Sequence, residues 1–378
     1  MDIKNIPSPS FVLEEEKLIQ NLEHIAEVQR AADIHIILAL KAFAMWPVFP
    51  LVYKYLSGAT ASSLAEARLI YEEMGCKAHT YSPAYLPEEF DDLLRYSSHI
   101  TFNSLNQYHR FIEQVHNSQE KVSPGLRVNP EYSEVETDLY NPASPVGRLG
   151  ETLPNLAGGL PEGIEGLHFH TLCESSSYTF ERTLAVFEEK FSPFFAQLKW
   201  VNFGGGHLMT RADYDRPHLI RVLQGFRERH PHLQVIMEPG SAIAWQTGFL
   251  LTRVLDIVEN HGVKTALLDV SFTAHMPDTL EMPYRPAVRG GSEPQAGNPT
   301  YRLGGVSCLA GDYMTEYSFD HELRIGERLI LEDMIHYTMV KTTMFNGVKH
   351  PNICVLKGNG QLEVIRQFGY EDFKGRLG

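Results

Sequence analysis

The stretch IHIILALKAFAMWP, residues 34–47, opens as a strand-like run of Ile, Leu and Ala and closes that run with a single lysine, Lys41. Placing an ammonium at the end of an apolar strand is costly unless a paired charge or a shifted pKa compensates, so Lys41 calls for a chemical explanation. Working outward, seven further β-rich runs follow before residue 240: LSGAT, KAHTYS, HITFN, GLRVN, IEGLHFH, LKWVNF and LQVIMEP. Between most of them lie helical patterns such as SSLAEARLIYEEMG and SYTFERTLAVFEEKFSPFFAQL, with apolar residues three and four apart. Eight alternating strand and helix units predict an α/β fold, a (β/α)8 barrel over residues 30–240.

Beyond Glu238 the texture changes to GFLLTRVLDIV, VKTALLDVSF, RLGGVSCLAG, ERLILEDM and NICVLKGNGQLEVI. This half reads as a β-domain of residues 241–378 together with 1–29, where SPSFVLEEEKL is expected to add a strand. The connection from Asn129 to Gly163 is long and rich in Pro and Gly, as expected of a loop reaching over a site. A chain of 378 residues with 43% hydrophobic content is long enough for both parts. The net charge of −14 and the lack of a Lys/Arg cluster argue against nucleic acid and are compatible with a cationic substrate. Four cysteines without a CxxC motif, an N-terminus without a signal-peptide core and the absence of a ~20-residue apolar run point to a cytoplasmic enzyme with no membrane partner.

The active-site rim of such a barrel lies where the strands end, and polar residues fall there. Lys41 ends the first strand, Asn103 the fourth, Arg127 and Asn129 the fifth, His170 the sixth and Glu238 the eighth, while Gly204, Gly205 and Gly206 follow the seventh. Loops after the seventh and eighth strands commonly bind phosphate through backbone N–H groups, and three glycines in a row exceed what one tight turn needs. Lysine plus phosphate site suggests pyridoxal 5′-phosphate, whose aldehyde bonds covalently to a lysine amine and whose ring acts as an electron sink. That ring works best with its nitrogen protonated, a task for an acidic partner such as Glu238. His168 and His170 point to one side of a strand, but a third metal ligand is hard to find beyond His207, so a histidine packed on a cofactor ring is preferred to a metal site.

These residues resemble the alanine racemase-like, fold type III pyridoxal-dependent decarboxylases that act on ornithine, arginine or diaminopimelate. LALKA around Lys41, HFH at 168–170, FGGG at 203–206, EPG at 238–240, GGVSCLAGD around Cys308 and HYTMVKTTMFNG carry the resemblance, in order and over nearly the whole chain. Within the family, LLDVSFTAHMPDTLEMPYRP together with HYTMVKTTMFNG is most similar to the polyamine-pathway branch acting on carboxynorspermidine, with carboxyspermidine also a candidate substrate. The resemblance implies that Lys41 carries the cofactor, His170 stacks on its ring, Gly204, Gly205 and Gly206 hold its phosphate with Tyr337, and Glu238 pairs with the pyridine nitrogen. It also implies a homodimer with composite sites, in which Cys308 of the partner subunit returns a proton to the α-carbon after CO2 leaves, with Asp312 beside it.

For the distal amines of such a substrate, Asp269 and Asp312 are the first acidic candidates and Asp278 the next, while Arg285 could meet a carboxylate. Three positions depart from the family pattern: Ser241 stands where Arg usually follows EPG, Leu309 where ornithine decarboxylases follow the cysteine with Asp, and Cys173 where a serine usually lies. Diaminopimelate, arginine or ornithine decarboxylation is the alternative within the family. A non-catalytic pyridoxal-phosphate-binding barrel would generally lack the β-domain, and a metal-dependent barrel hydrolase would carry a metal.

Overall fold

The computed structural model describes residues 3–135, 141–281 and 283–378. The chain forms two compact units, one from Asn21 to Ile243 and the other from the N-terminal residues up to Gln20 together with Ala244–Gly378. The helix Glu15–Ala32 carries the chain from one to the other.

The Asn21–Ile243 unit holds an all-parallel sheet of His35–Ile36, Leu38–Ala39, Ala59–Ala61, Ala78–Tyr81, Ser97–Phe102, Ser123–Arg127, Gly166–His168, Trp200–Asn202 and Gln234–Met237. The first two stretches are halves of one strand. His35 and Ile36 pair with Ile236 and Met237, whereas Leu38 and Ala39 pair with Ala59 and Thr60. The strand changes partner at Ile37, whose N–H donates to Met237 O (2.9 Å) while that of Leu38 donates to Gly58 O (3.0 Å). The sheet thereby closes on itself, and each of the eight sequence-predicted strands is present. Side-chain caps start the helices between strands: Ser63, Ser104, Ser176 and Asp215 each accept the amide three residues on.

Alternation along the strands decides what enters the barrel. Phe169 and Phe203 point outward and pack with Phe180 and Phe187, which turns their neighbours His168, His170 and Asn202 inward. At the floor, the Trp200 indole fills the space over two glycines. A Cβ on Gly125 or Gly166 would come within 2.3 or 2.1 Å of its ring atoms. Trp200 Nε1 donates to Ser123 Oγ (2.9 Å), its ring packs with Ile37 and Ile236, and the stacked imidazoles of His79 and His99 complete the layer. Apolar and aromatic bulk thus plugs the lower barrel and leaves the polar ends of the strands at the top.

The other unit is built on a mixed sheet around the long strand Gly248–Asn260. Ser10–Glu14, the strand expected from SPSFVLEEEKL, pairs antiparallel with Gly248–Asn260 and parallel with Asn352–Leu356. The Gly-Asn-Gly turn joins Asn352–Leu356 to Leu362–Arg366. The strand Tyr313–Phe319, set among charged residues, carried no clear apolar signal and was not foreseen. The connection expected to reach over the site includes residues 136–140, which lie outside the described ones; of the rest, Val128 bridges to Glu151. Among the described residues no helix is long and apolar enough to cross a membrane.

Candidate active site

The upper end of the barrel opens into a cavity of about 320 Å³, counting its mouth, lined by Lys41, Thr60, Ser62, Tyr81, Arg127, His168, His170 and Glu238 together with Ala39 and Leu40. Five residues named from sequence, Lys41, Arg127, His168, His170 and Glu238, therefore share one space.

Lys41 touches solvent through the mouth, yet protein surrounds it so closely that burial lowers its pKa from the ordinary 10.5; Arg127 lowers it further, while Glu238 opposes the shift. Its Nζ lies 3.5 Å from His170 Nε2. The His170 ring is oriented from behind, because Gly205 N–H donates to Nδ1 (2.8 Å). A neutral imidazole that accepts at Nδ1 carries its proton on Nε2, which then faces the lysine as a donor. Burial and the neighbouring charges of Lys41 and Arg127 keep His170 neutral, its pKa well below 6.5. An imidazole N–H facing Nζ suits a neutral amine, which can accept, better than an ammonium, which cannot.

Glu238 is held by its neighbours on the next strands. Asn202 Nδ2 donates to its Oε1, Asn202 Oδ1 accepts from Gly204 N–H (2.9 Å), and Glu238 N–H donates to Gly204 O (2.9 Å). Burial pushes the Glu238 carboxyl pKa up, against the pull of Lys41, Asn202, Arg127 and Thr60. Arg127 stacks over the Tyr81 ring at 4.7 Å and donates from Nη2 to His170 O (3.2 Å), and Tyr81 OH donates to Asn103 Oδ1 (2.7 Å). Thr60, Ser62, Tyr81 and Asn202 were not picked out from sequence. Their signal is alternation: each stands two residues from another inward position on its strand or just past its end.

The three glycines serve close approach first. A Cβ on Gly204 would stand 2.5 Å from Phe169 O, on Gly205 2.4 Å from Glu238 O, and on Gly206 2.1 Å from Leu172 O. The amides of Gly204 and Gly205 are already donated to Asn202 and His170. Of the three amides expected at a phosphate, these two are engaged within the protein.

In the sheet unit, Cys308 is exposed, and its N–H donates to Asn346 Oδ1 (3.0 Å). Asp312 is buried under the Cys308 loop. Its Oδ2 accepts from Ser307 N–H (3.0 Å) and Oγ (2.6 Å), and its Oδ1 from Thr273 N–H (3.1 Å). With three donors on a buried carboxylate, Asp312 holds the Cys308 loop in shape. Asp269 is similarly engaged, Oδ1 accepting from Thr252 Oγ1 (2.8 Å) and Arg253 N–H (2.9 Å). Asp278 accepts from Thr338 Oγ1 (2.8 Å) at Oδ2, while its Oδ1 has no hydrogen-bond partner. Arg285 donates to Thr315 Oγ1 (2.8 Å) and lies over Tyr317. Tyr337 sits in the left-handed region, φ 42°, after the strand Arg328–Glu332. Among the described residues, no three His, Cys, Asp or Glu side chains are grouped to hold a metal ion, His168, His170 and His207 included.

The barrel residues fit a group that bonds to an amine and carries a basic ring nitrogen: an amine of lowered pKa, a flat imidazole with a fixed face and a buried carboxylate on one cavity, plus His168, whose two ring nitrogens lack hydrogen-bond partners. Comparison with known proteins agrees. The family described as "Pyridoxal-dependent decarboxylase, C-terminal sheet domain" matches residues 51–335. Carboxyaminopropylagmatine decarboxylase of Synechocystis sp. is 55% identical, covering 100% of this chain and 97% of that protein. Carboxynorspermidine/carboxyspermidine decarboxylase of Campylobacter jejuni is 42% identical over 100% of both. The crystal structure of carboxynorspermidine decarboxylase complexed with norspermidine, also from Campylobacter jejuni, superposes with a TM-score of 0.90 at 42% identity, over 98% of this chain and 100% of that one.

Proposed function

Because this chain belongs to the pyridoxal-dependent decarboxylase family, we propose that it releases CO2 from carboxynorspermidine or carboxyspermidine, leaving norspermidine or spermidine, in polyamine biosynthesis. Its cofactor is pyridoxal 5′-phosphate. The observation that carries the substrate is the full-length likeness to a protein crystallised with norspermidine, the amine such a reaction would leave. A second reading, carboxyaminopropylagmatine, is favoured by the Synechocystis relative. By their names the substrates share a carboxylated aminopropyl head and differ at the far end, where agmatine carries a guanidinium instead of an ammonium.

When bound, pyridoxal phosphate supplies an aldehyde that bonds to amines and a protonated ring that draws electrons from the bond to the departing carboxylate. Lys41 would hold it, and the lowered pKa leaves more of the lysine as the unprotonated amine that bonds to carbonyl carbon. Glu238, fixed by Asn202, would face the ring nitrogen, and His170, fixed by Gly205, would lie against the ring. Gly206 would offer its amide to the phosphate, with Gly204 and Gly205 shaping the approach, and Tyr337 as a further contact. Asp269 and Asp278, each with a carboxylate oxygen lacking a hydrogen bond, are the acidic candidates for a distal amine; Arg285 would meet a carboxylate.

Homodimerisation is part of this proposal. Cys308 lies on an exposed loop whose neighbours Val306, Leu309, Tyr313 and Phe345 are also exposed apolar or aromatic residues, a surface a second copy would cover. Cys308 of the partner subunit would then return a proton to the α-carbon, its loop held by Asp312. A cytoplasmic location is supported by four free cysteines.

The test is a CO2-release panel across carboxynorspermidine, carboxyspermidine, carboxyaminopropylagmatine, diaminopimelate, ornithine and arginine, on protein whose yellow absorbance is lost on borohydride reduction with labelling at Lys41. Release from the first two supports the main reading. Release only from the agmatine derivative selects the second, and release only from diaminopimelate overturns both.

A further inference from the structure

His168 is a second imidazole on the cavity wall, placed there by the end of the strand Gly166–His168. It stands in register with Asn202 on one neighbouring strand and with Arg127 on the other. Its side chain is 3% exposed, and neither ring nitrogen has a hydrogen-bond partner. A buried polar group left unpaired costs free energy, so an orphaned imidazole on the wall of a functional cavity points to a partner it meets there. Glu238 Oε1 lies 3.6 Å from His168 Nε2 and is the same oxygen that accepts from Asn202 Nδ2. A shift of about 0.5 Å closes that gap to hydrogen-bond length.

The surroundings fix what His168 can offer. Tyr81 meets it edge-on, with ring centroids 5.4 Å apart, and Arg127, Lys41, His79 and His170 are the other charged or titratable groups that act on it besides Glu238. Burial, then Arg127 and Lys41, hold its pKa well below 6.5. The imidazole is therefore neutral at pH 7 and carries one N–H, which it can donate without bringing another positive charge into the cavity. Glu238 has the opposite need, because burial drives its carboxyl toward the protonated form. Each donor added to the carboxylate opposes that drift.

We propose that His168 is a positioning residue for Glu238: its Nε2–H joins Asn202 Nδ2 and the Thr60 hydroxyl as a donor to the carboxylate, keeping it ionised and turned toward the ring nitrogen of the bound cofactor. The proposal rests on the pyridoxal-dependent reading for its consequence in catalysis, but the His168–Glu238 contact belongs to the protein without cofactor. His168→Phe removes the donor and keeps a flat ring; His168→Gln restores an N–H.

The experiment reads the Glu238 ionisation midpoint in the apoprotein by carboxyl-carbon NMR, using Glu238→Gln to assign the signal, and then the dissociation constant for pyridoxal phosphate against pH. The expected result is a midpoint raised by at least ~0.5 pH unit in His168→Phe, with cofactor affinity lost at correspondingly higher pH, and recovery of most of both shifts in His168→Gln. As a check that needs no variant at 168, long-range proton–nitrogen spectra of the unsubstituted apoprotein should find His168 protonated at Nε2. A Glu238 midpoint that does not move in His168→Phe, a His168 proton on Nδ1, or equal effects of Phe and Gln would overturn the proposal. Unsubstituted protein that takes up no pyridoxal phosphate would instead overturn the functional reading, while the apoprotein midpoint still decides the role of His168.

Discussion

Replacing Gly206 with alanine should be the most damaging single-methyl change at the rim of the barrel, and its cost can be assembled from two terms. The backbone at Gly206 has φ +84°, in the left-handed region, and a residue with a Cβ pays about 1–2 kcal/mol there. The added Cβ would also stand 2.1 Å from Leu172 O and 2.3 Å from Leu172 C, atoms of the backbone that cannot swing aside as a side chain would. Overpacking of this kind adds about 1–3 kcal/mol, for a total of about 2–5 kcal/mol. In a unit of this size each kcal/mol moves the melting temperature by roughly 2–4 °C, so Gly206→Ala should melt roughly 4–20 °C below the parent. Gly158→Ala is the control: that glycine is exposed, has no atom within 4 Å of the new Cβ and lies outside the left-handed region, so the change should be neutral or slightly stabilising. Calorimetric melting of the apoproteins, followed by pyridoxal phosphate titration, measures both. A Gly206→Ala protein melting within ~1 °C of the parent would refute the assignment of this glycine to close backbone approach.

Three further outcomes are expected. Burial raises the Glu238 carboxyl pKa above its unfolded value, so the folded state binds that proton more tightly and loses stability as pH rises from about 4.5 through the raised value. Glu238→Gln should therefore melt higher than the parent above this window and alike below it, while binding pyridoxal phosphate more weakly. For Lys41 the shift is downward: the folded state gives up its proton first, and stability gained from this group accrues as pH rises from the lowered value toward 10.5. Competitive amine labelling of the apoprotein should find Lys41 reactive at lower pH than the exposed lysines, and an ordinary titration midpoint would count against the cavity's electrostatics. Asp312→Asn should lower kcat by about tenfold or more with little change in KM, because it loosens the loop carrying Cys308; a change confined to KM would point to direct substrate contact instead.

The barrel was legible because its strands are short apolar runs set between capped amphipathic helices, and the lysine closing one of them is chemically conspicuous. Lys41, His170 and Glu238 were readable as rim residues from position alone. Their supports were harder to see. Asn202 looks like any strand-end amide until the fold sets it between Gly204 and Glu238, and Tyr81 gains meaning only beneath the Arg127 guanidinium. The glycine run invited a phosphate reading from composition, whereas the distances show that the backbones after neighbouring strands leave no room for a Cβ. The tie of Asp312 to its loop was hidden for a related reason: a carboxylate beside a cysteine suggests ligand binding, and only the path of the loop reveals its three donors inside the protein.

The plug at the base of the barrel ties together three sites distant in the chain. Enlarging either Gly125 or Gly166 is tolerable only if the indole at Trp200 shrinks, and trimming the indole alone opens a hole bordered by residues without side chains to fill it. Substitutions at this trio must therefore travel together, so a library that randomises one of the three positions at a time would find few functional alternatives, while one that varies all three at once could recover new solutions to the same volume.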